Sequence, residues 1–371
     1  GQNRPDQLAG KAVLVVGRSE WLADDELNHL GPDGYIIRRK GNVVTIAGKE
    51  LSAGLSGVVG FLREFAGVRF YMPGDLFTTL PREHKPPVLR KVDLSVSPYI
   101  WTGAAHTWGA PDAARWGEYY ALFRRPASHQ HTMYARFPPS KFAARYPEIY
   151  PLVEGERYLP DSRDQRWQPC FSEPKLVDAA VESARDYFTL RPDMPYIAFS
   201  IQDTHAYCAR DLASKEVATQ IAKLGEEQGK VQGLSNLYWA WLNKVAERLE
   251  ADYPDKKIVG LAYASVRMPP PFKLHKNIIA WLVFKMSDIV IDKRFTDNAA
   301  YFQGWAEAAS AVGQHDWAYG RGYLFPRIYT DYTRHTFLEF EKMGAPIRYA
   351  YSEVGVNWGL DGPKIYLLAR M

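Results

Sequence analysis

The stretch Tyr196-Ile-Ala-Phe-Ser-Ile-Gln-Asp-Thr-His-Ala-Tyr-Cys208 decides the fold class of this chain. Its first half is a short apolar run with the length and composition of a buried parallel strand. Its second half turns polar at Gln202-Asp-Thr-His205. A buried strand that opens into hydrogen-bonding and titratable groups is typical of α/β enzymes, which carry their chemistry at the carboxyl end of the sheet.

The same pattern of an apolar run followed by polar or aromatic groups recurs four times downstream, at 258–267, 278–288, 312–317 and 347–358. Alternation of such strands with helical segments favours either a parallel barrel or a doubly wound sheet. Seven candidate strands in this part of the chain favour the barrel. Since the sequence ends at Met371, inside the seventh predicted helix, we expect the barrel to lack its eighth unit at the C-terminus.

A smaller α/β module precedes the predicted barrel. We predict a strand over Lys11–Gly17, a hairpin over Tyr35–Ala47 that turns at Gly41-Asn42, and a helix over Leu51–Phe65. The resulting domain organisation is an N-terminal α/β domain at 1–81, a charged linker at 82–91, and a barrel domain at 92–371. Within the second domain, further predictions are a first strand at Val92–Trp101, a second at Gln130–Phe137, a helix N-cap at Ser172, a partly helical surface insertion at Leu212–Gly233 and a helix at Leu237–Tyr253.

The composition excludes several classes of protein. The net charge is only +4, and no concentrated basic run suggests nucleic-acid binding. No apolar run is long enough to span a bilayer. The 11 Trp and 23 Tyr residues suit both the faces of sugar rings and the packing of a large core. Cys170 and Cys208 could pair or stay free. The sequence starts without Met, so an export signal could have been removed.

Several motifs resemble those of a known family. Asp33-Gly-Tyr-Ile-Ile-Arg38 and Gly67-Val-Arg-Phe-Tyr-Met-Pro-Gly74 resemble the N-terminal domain found ahead of α-glucuronidase and hexosaminidase barrels. Gln168-Pro-Cys170, Phe199-Ser-Ile-Gln-Asp203 and Tyr207-Cys208 resemble the barrel that follows it in a large bacterial family long described as a domain of unknown function. Part of that family is glycoside hydrolase family 163, endo-β-N-acetylglucosaminidases that act on N-glycans.

The resemblance covers nearly the whole chain. It implies a TIM-like (β/α)8 barrel, a glycan substrate and a secreted or periplasmic location. Two departures from the family pattern bear on the site. Cys208 is followed by Ala209-Arg210, where family members usually carry further cysteines, and Gln202 stands where an Asn often precedes the key Asp.

Glycosidic cleavage requires a proton donor at the leaving oxygen and a second carboxylate. We predict Glu353 as the acid, because it follows a β-rich run among aromatic residues that could raise its pKa. Asp203 is predicted as base, nucleophile or orienter of a substrate acetamido group; the alternative for each is a structural carboxylate. Predicted substrate-binding residues are Gln202, His205, Tyr263, Arg267, Lys285, Asp288, His315, Asp316, Trp317, Arg327, Tyr351, Asn357 and Trp358. No metal or cofactor is expected, because His205 beside Asp203 is too small a ligand set.

The sequence therefore predicts a glycoside hydrolase that cleaves a glycan containing N-acetylhexosamine or uronic acid. A Gly-x-Ser-x-Gly elbow and a Gly-x-Gly-x-x-Gly turn are both missing, which excludes the common serine hydrolase and dinucleotide-binding patterns. Two alternatives stay open, a non-catalytic carbohydrate-binding or scaffold protein on a degenerate barrel, and a polysaccharide lyase.

Overall fold

A computed structural model of the protein describes residues 12–82, 91–98, 102–107, 111–120, 129–153, 155–161, 164, 166–284, 299–317, 328–354 and 358–370. The chain divides into two compact units, each built from separate pieces of sequence. Unit 1 comprises residues 1–127, 317–330 and 348–371, and unit 2 comprises residues 128–316 and 331–347.

Unit 1 contains a four-stranded sheet covered by a helix. Its elements are β1 (Val13–Val16), β2 (Tyr35–Lys40), β3 (Val43–Gly48), α1 (Ala53–Glu64), β4 (Arg69–Phe70), β5 (Thr78–Thr79), β6 (Asp93–Val96), β7 (Thr102–Thr107), α2 (Pro111–Tyr119), β14 (Ile347–Val354, from Arg348 onwards) and α11 (Trp358–Arg370). The sheet order is β1-β3-β2-β6, with β1 parallel to β3 and the hairpin β2–β3 antiparallel. The predicted hairpin and the predicted helix at 51–65 are confirmed. Separately, β14 pairs in parallel with β7.

Glycine residues of α1 allow this helix to lie close to the sheet. A Cβ atom at Gly60 would meet the hydroxyl oxygen of Tyr35 at 2.4 Å, and one at Gly57 would meet Ile46 at 2.7 Å. Tyr35, Ile37, Val44 and Ile46 form the buried core beneath the helix. The helix therefore depends on small residues on its sheet-facing side.

The predicted first barrel strand at Val92–Trp101 is wrong for its described part. Asp93–Val96 pairs antiparallel with β2, so it extends the N-terminal sheet. The sequence of a short strand does not show which strand it pairs with. Here the pairing is decided by packing, because Val92, Leu94 and Val96 join the apolar core around Tyr35. The domain boundaries 1–81, 82–91 and 92–371 themselves stay a prediction.

Unit 2 is built on four parallel strands. Its elements are α3 (Met133–Arg136), α4 (Pro139–Phe142), β8 (Leu152–Val153), β9 (Glu156–Arg157), α5 (Lys175–Leu190), β10 (Tyr196–Ala198), α6 (Ala209–Leu212), α7 (Lys215–Leu224), α8 (Glu226–Leu249), β11 (Lys257–Ala262), β12 (Ile278–Val283), α9 (Ala299–Ala308), β13 (Val312–Trp317, to Asp316) and α10 (Thr330–Lys342, from Asp331). The strand order is β10-β11-β12-β13. The mixed α/β class with a parallel sheet is confirmed, and a closed barrel stays a prediction.

The two faces of this sheet have different partners. A Cβ atom at Gly260 would meet Trp239 and Leu242 of α8 at 2.6 Å, so this face packs on the helix. Side chains alternate along a strand, and Leu261 and Tyr263 therefore point to the opposite face. On that face the indole of Trp281 lies over Gly313, where a Cβ would approach it to 2.8 Å. A glycine in β13 thus makes room for a tryptophan of β12.

Three local predictions in unit 2 need correction. Residues 130–137 contain the short helix α3, because the Thr132 hydroxyl and the Arg136 guanidinium both donate to the Ala198 carbonyl (2.9 Å each) and bind this segment to the side of β10. Ser172 does not cap α5, which starts at Lys175 after Pro174 without a side-chain cap. The predicted insertion at 212–233 is largely helical, and its second half is the beginning of α8.

No helix in the described part of the chain combines the length and the apolar character that crossing a membrane would require.

Candidate functional site

An exposed carboxylate stands just beyond the carboxyl ends of the parallel strands of unit 2. The hydroxyl of Tyr263 donates to Oδ1 of Asp203 at 3.0 Å, joining the segments that follow β10 and β11. This is the only hydrogen bond of the Asp203 side chain within the described residues, and none of them binds Oδ2. Tyr263 directly follows Ala262, the last residue of β11. Two of the predicted site residues, Asp203 and Tyr263, therefore lie together at this edge.

A second, buried group of side chains occupies the ends of β12 and β13. His315 lies opposite Val283 in the register, one rung beyond the pair Leu282 and Gln314. Its Nδ1 atom lies 3.3 Å from Nε2 of His129 and 3.2 Å from the Gln130 amide nitrogen. The His129 ring stacks on Trp281, with ring centroids 4.1 Å apart and 14° between the planes. His315 and Asp316 are both buried, at 3% and 5% exposure.

His131 connects these two groups along the chain. Its Nδ1 atom is 2.9 Å from the Ile201 carbonyl oxygen, and its ring centroid is 6.2 Å from that of Tyr263. A carbonyl can only accept, so Nδ1 carries a hydrogen and donates it to Ile201. His131 is half-buried, and Nε2 has no hydrogen-bond partner among the described residues.

The backbone is strained on both sides of this group. His131 and Ala264 each have φ of 47°, the only positive values for non-glycine residues in the described chain. Such conformations cost of order 1–3 kcal/mol and cluster at functional sites. The sequence interpretation missed the segment 129–131, which it placed partly in a strand. The signal that could have identified it is His-Gln-His, three hydrogen-bonding residues in succession.

A separate segment supports the Asp203 loop from behind. The Gln168 amide accepts from the Gln202 backbone N–H (3.1 Å) and donates to the Gln202 carbonyl (2.9 Å). Cys170 and Cys208 form a disulfide, with Cα atoms 5.2 Å apart, so the two cysteines are paired and not free. The two sequence motifs around Gln168-Pro-Cys170 and Gln202-Asp203 are thus attached to each other.

The same support includes a buried carboxylate. Asp211 is fully buried and accepts the backbone N–H groups of Phe171 and Ser172, both at 2.8 Å. Burial raises the pKa of Asp211, while these hydrogen bonds and the nearby Arg210 act in the opposite direction. The Asp203 loop is therefore anchored at three points.

The other predicted site residues of unit 2 have varied surroundings. His205 is exposed, and its Nδ1 atom lies 3.1 Å from the Ser265 hydroxyl. Arg267 is also exposed and donates to the Ala264 carbonyl at 3.0 Å. Gln202 is fully buried, and its side-chain nitrogen donates to the Asp164 carbonyl at 3.3 Å. Gln202 therefore holds the backbone next to Asp203 in place.

Several predicted site residues cannot be placed at this edge. Lys285, Asp288, Arg327 and Asn357 lie outside the described residues. Tyr351, Glu353 and Trp358 are described by their backbone only; the Cα atom of Glu353 is paired with that of His106 in the register of β14 and β7. These three residues and Trp317 belong to unit 1. Their roles stay predictions.

The described residues contain no group of three or more His, Cys, Asp or Glu side chains arranged to hold a metal ion. What the site offers instead is one open carboxylate, imidazole and amide groups, and aromatic rings at the carboxyl ends of parallel strands. This is the usual position of a small-molecule site in an α/β protein.

The fold and site define an α/β protein with a candidate ligand site at its sheet edge. The chain belongs to the family described as "Domain of unknown function (DUF4838)", which matches residues 74–371. No curated protein matches the sequence.

Among solved structures, the chain is similar to a family 89 glycoside hydrolase from Clostridium perfringens in complex with 2-acetamido-1,2-dideoxynojirmycin (8% identity, TM-score 0.48, covering 97% of this chain and 46% of that one). It is also similar to a glycoside hydrolase family 20 β-N-acetylglucosaminidase (11%, 0.45, 96% and 82%). A third similar structure is a β-N-acetylhexosaminidase from Bacteroides fragilis NCTC 9343 (11%, 0.42, 97% and 78%). The chain spans less than half the length of the family 89 hydrolase.

Proposed function

We propose that this protein is a glycoside hydrolase that acts on a glycan containing N-acetylhexosamine or uronic acid. The observation that supports this most is the exposed Asp203 carboxylate, oriented by the Tyr263 hydroxyl at the carboxyl end of the parallel sheet. An ordered carboxylate with one open oxygen can act as base or nucleophile, or accept a hydrogen bond from a substrate acetamido N–H. The family resemblance of the sequence motifs supports the same substrate class.

The reaction needs a second carboxyl group that protonates the leaving oxygen. We propose Glu353 for this role on the sequence pattern alone, since its side chain is not described. The resemblance further supports an endo-β-N-acetylglucosaminidase-like or α-glucuronidase-like activity and a secreted or periplasmic protein. Cell fractionation with an antibody to the chain tests the proposed location.

Mutation of the two carboxylates tests the proposal. The purified protein is incubated with a mixed glycan library, and released products are identified by mass spectrometry. We expect Asp203→Asn and Glu353→Gln each to reduce turnover at least about 100-fold, a typical loss for a catalytic acid or base. Asp193→Asn is the matched control, because Asp193 is exposed in unit 2 and precedes β10, at the opposite end of that strand from Asp203.

The outcomes separate the alternatives. Near-normal turnover by both variants would remove the assignment of these residues. Glycan binding by the wild-type protein without product release would identify a carbohydrate-binding protein. A product with ultraviolet absorption from a new double bond would identify a lyase.

A further inference from the structure

Unit 1 contains a polar cavity of about 340 Å³ that plays no part in the proposed reaction. α1, β2, α2, α11 and the segment around the end of β6 contribute its walls. The hydroxyl-bearing and cationic residues that line it are Tyr35, Ser56, Ser95, Ser97, Tyr119, Tyr120, Arg63 and Arg370. No acidic side chain of the described residues lines it. Its volume lies at the lower end of the range for small-molecule sites.

The packing of the helices places Arg63 and Arg370 at this cavity. Ile365 of α11 packs with Trp116 and Tyr120, which fixes the last turn of α11 near α2. Arg370 lies in that last turn. Arg63 lies in the last turn of α1, where it is only 9% exposed. A nearly buried guanidinium is rare unless it is paired, because burial disfavours its charge.

The pairing in this region leaves positive charge in excess. Nε of Arg63 donates to Oε1 of Glu64 at 2.7 Å, and Nη2 of Arg370 lies 3.7 Å from the same oxygen. Burial acts to raise the pKa of Glu64, but Arg63, Arg370 and Arg69 together hold it below its ordinary value. One carboxylate therefore faces three guanidinium groups, and no other ion pair is formed by these arginines in the described part of the chain.

The Arg63 guanidinium is hydrogen-bonded to both Glu64 and Tyr35, and these two contacts do not use all five of its N–H donors. The hydrogen bond to Glu64 uses Nε, so neither Nη group is paired with a carboxylate. The Tyr35 phenol lies next to this guanidinium: burial raises the pKa of Tyr35, and the Arg63 charge opposes that rise. A phenol and a guanidinium side by side offer several N–H and O–H donors to one ligand.

We propose that this cavity binds an anionic oxygen group, a sulfate or a carboxylate, carried by an acidic saccharide or present as a free ion. Arg63 and Arg370 provide the charge, and Tyr35 and Ser56 line the same space. Guanidinium groups match the oxygen pairs of sulfate and carboxylate, and such charge-assisted hydrogen bonds are the strong class. The proposal does not depend on glycosidase activity.

Calorimetric titration of the full chain at low ionic strength tests this site. The probes are sodium sulfate, sodium glucuronate and N-acetylglucosamine 6-sulfate, with sodium chloride at equal ionic strength as reference. We expect saturable binding of at least one oxyanion probe. Arg370→Gln should weaken it about tenfold, the loss expected for one charge-assisted hydrogen bond.

Two further variants complete the design. Arg63→Gln should weaken binding more strongly; if it does not fold, Arg370→Gln decides alone, because Arg370 is partly exposed. Arg115→Gln removes the same charge from an exposed position of α2 outside the cavity and should leave binding unchanged.

The outcomes are distinct from those of the hydrolase assays. Tighter binding of the sulfated sugar or glucuronate than of inorganic sulfate identifies an acidic saccharide as the ligand class, and equal binding identifies a free ion. Heats equal to those of chloride, or the same affinity for Arg370→Gln as for Arg115→Gln and wild type, would overturn the proposal.

Discussion

Breaking the disulfide between Cys170 and Cys208 should destabilise unit 2 substantially. The two residues are 38 positions apart, and both are buried. In the chain-entropy treatment, releasing a loop of this length returns about 4 kcal/mol of conformational freedom to the unfolded state. We therefore expect a loss of about 4 kcal/mol for Cys170→Ala/Cys208→Ala.

Urea unfolding followed by tryptophan fluorescence measures this loss. Trp239 and Trp241 lie in α8 of unit 2 and are fully or almost fully buried, so their emission reports on this unit. The unfolding midpoint should fall for the double variant and equally for the wild-type protein treated with a reductant. The reductant should not change the double variant. The slope with urea allows the midpoint shift to be converted to a free energy.

The same experiment can refute the reasoning. Equal midpoints for the double variant and the oxidised wild-type protein would show that the cross-link does not restrict the unfolded chain. Two free thiols in a titration of the unreduced protein would show that the bond is not formed. A loss of glycan turnover together with stability would indicate that the cross-link also holds the Asp203 loop in place.

Three further changes test the packing, the site and the charges. Gly313→Ala should cost about 1–3 kcal/mol by overpacking, since its Cβ would lie 2.8 Å from Trp281. Gly54→Ala in α1 has open space for its Cβ and should be neutral or stabilising. Urea unfolding followed by circular dichroism, which reports on both units, measures the two effects. Tyr263→Phe removes the hydrogen bond to Asp203 and should reduce glycan turnover about tenfold at unchanged stability. The expected loss is small because the Asp203 carboxylate is exposed. Unchanged turnover would show that the Tyr263 hydroxyl does not take part in the reaction. Lys40, the Ala23 N–H and Arg38 lower the pKa of Glu26 from 4.5 to about 2. The ionised Glu26 carboxylate therefore stabilises the folded protein fully above about pH 4.5, and this stabilisation disappears as the pH falls towards 2. Glu26→Gln should lower the urea midpoint near pH 7 but not near pH 2, and a difference that persists at the lower pH would contradict this.

The sequence predicted the elements with strong periodicity. The hairpin at 35–48, helix α1 and the four parallel strands of unit 2 have apolar patterns and lengths that are typical of their kind of element. Parallel strands end at the same edge of a sheet, and this rule of topology accounts for the contact between the Asp203 carboxylate and the Tyr263 hydroxyl. These results follow from local pattern and a general rule of topology.

Other features depend on distance, which the sequence does not contain. The disulfide required Cα atoms 5.2 Å apart, and two cysteines alone left pairing open. The position of the His131 ring depends on the left-handed backbone of this residue and on its contact with the Ile201 carbonyl. Neither feature follows from the periodicity or the composition of the sequence. The sheet that takes up β6 was likewise decided by tertiary packing against β2.

The pairing of β6 with β2 affects how the protein can be dissected for expression. A fragment that ends at Arg82 or Lys91 would leave the N–H and C=O groups of β2 unpaired along one side, and exposed strand edges of this kind promote aggregation. It would also lose Leu94 and Val96 from the apolar layer that covers Tyr35. A soluble N-terminal fragment should therefore extend at least through Ser97, whose hydroxyl accepts the Gly31 N–H at 2.8 Å and closes the end of the sheet.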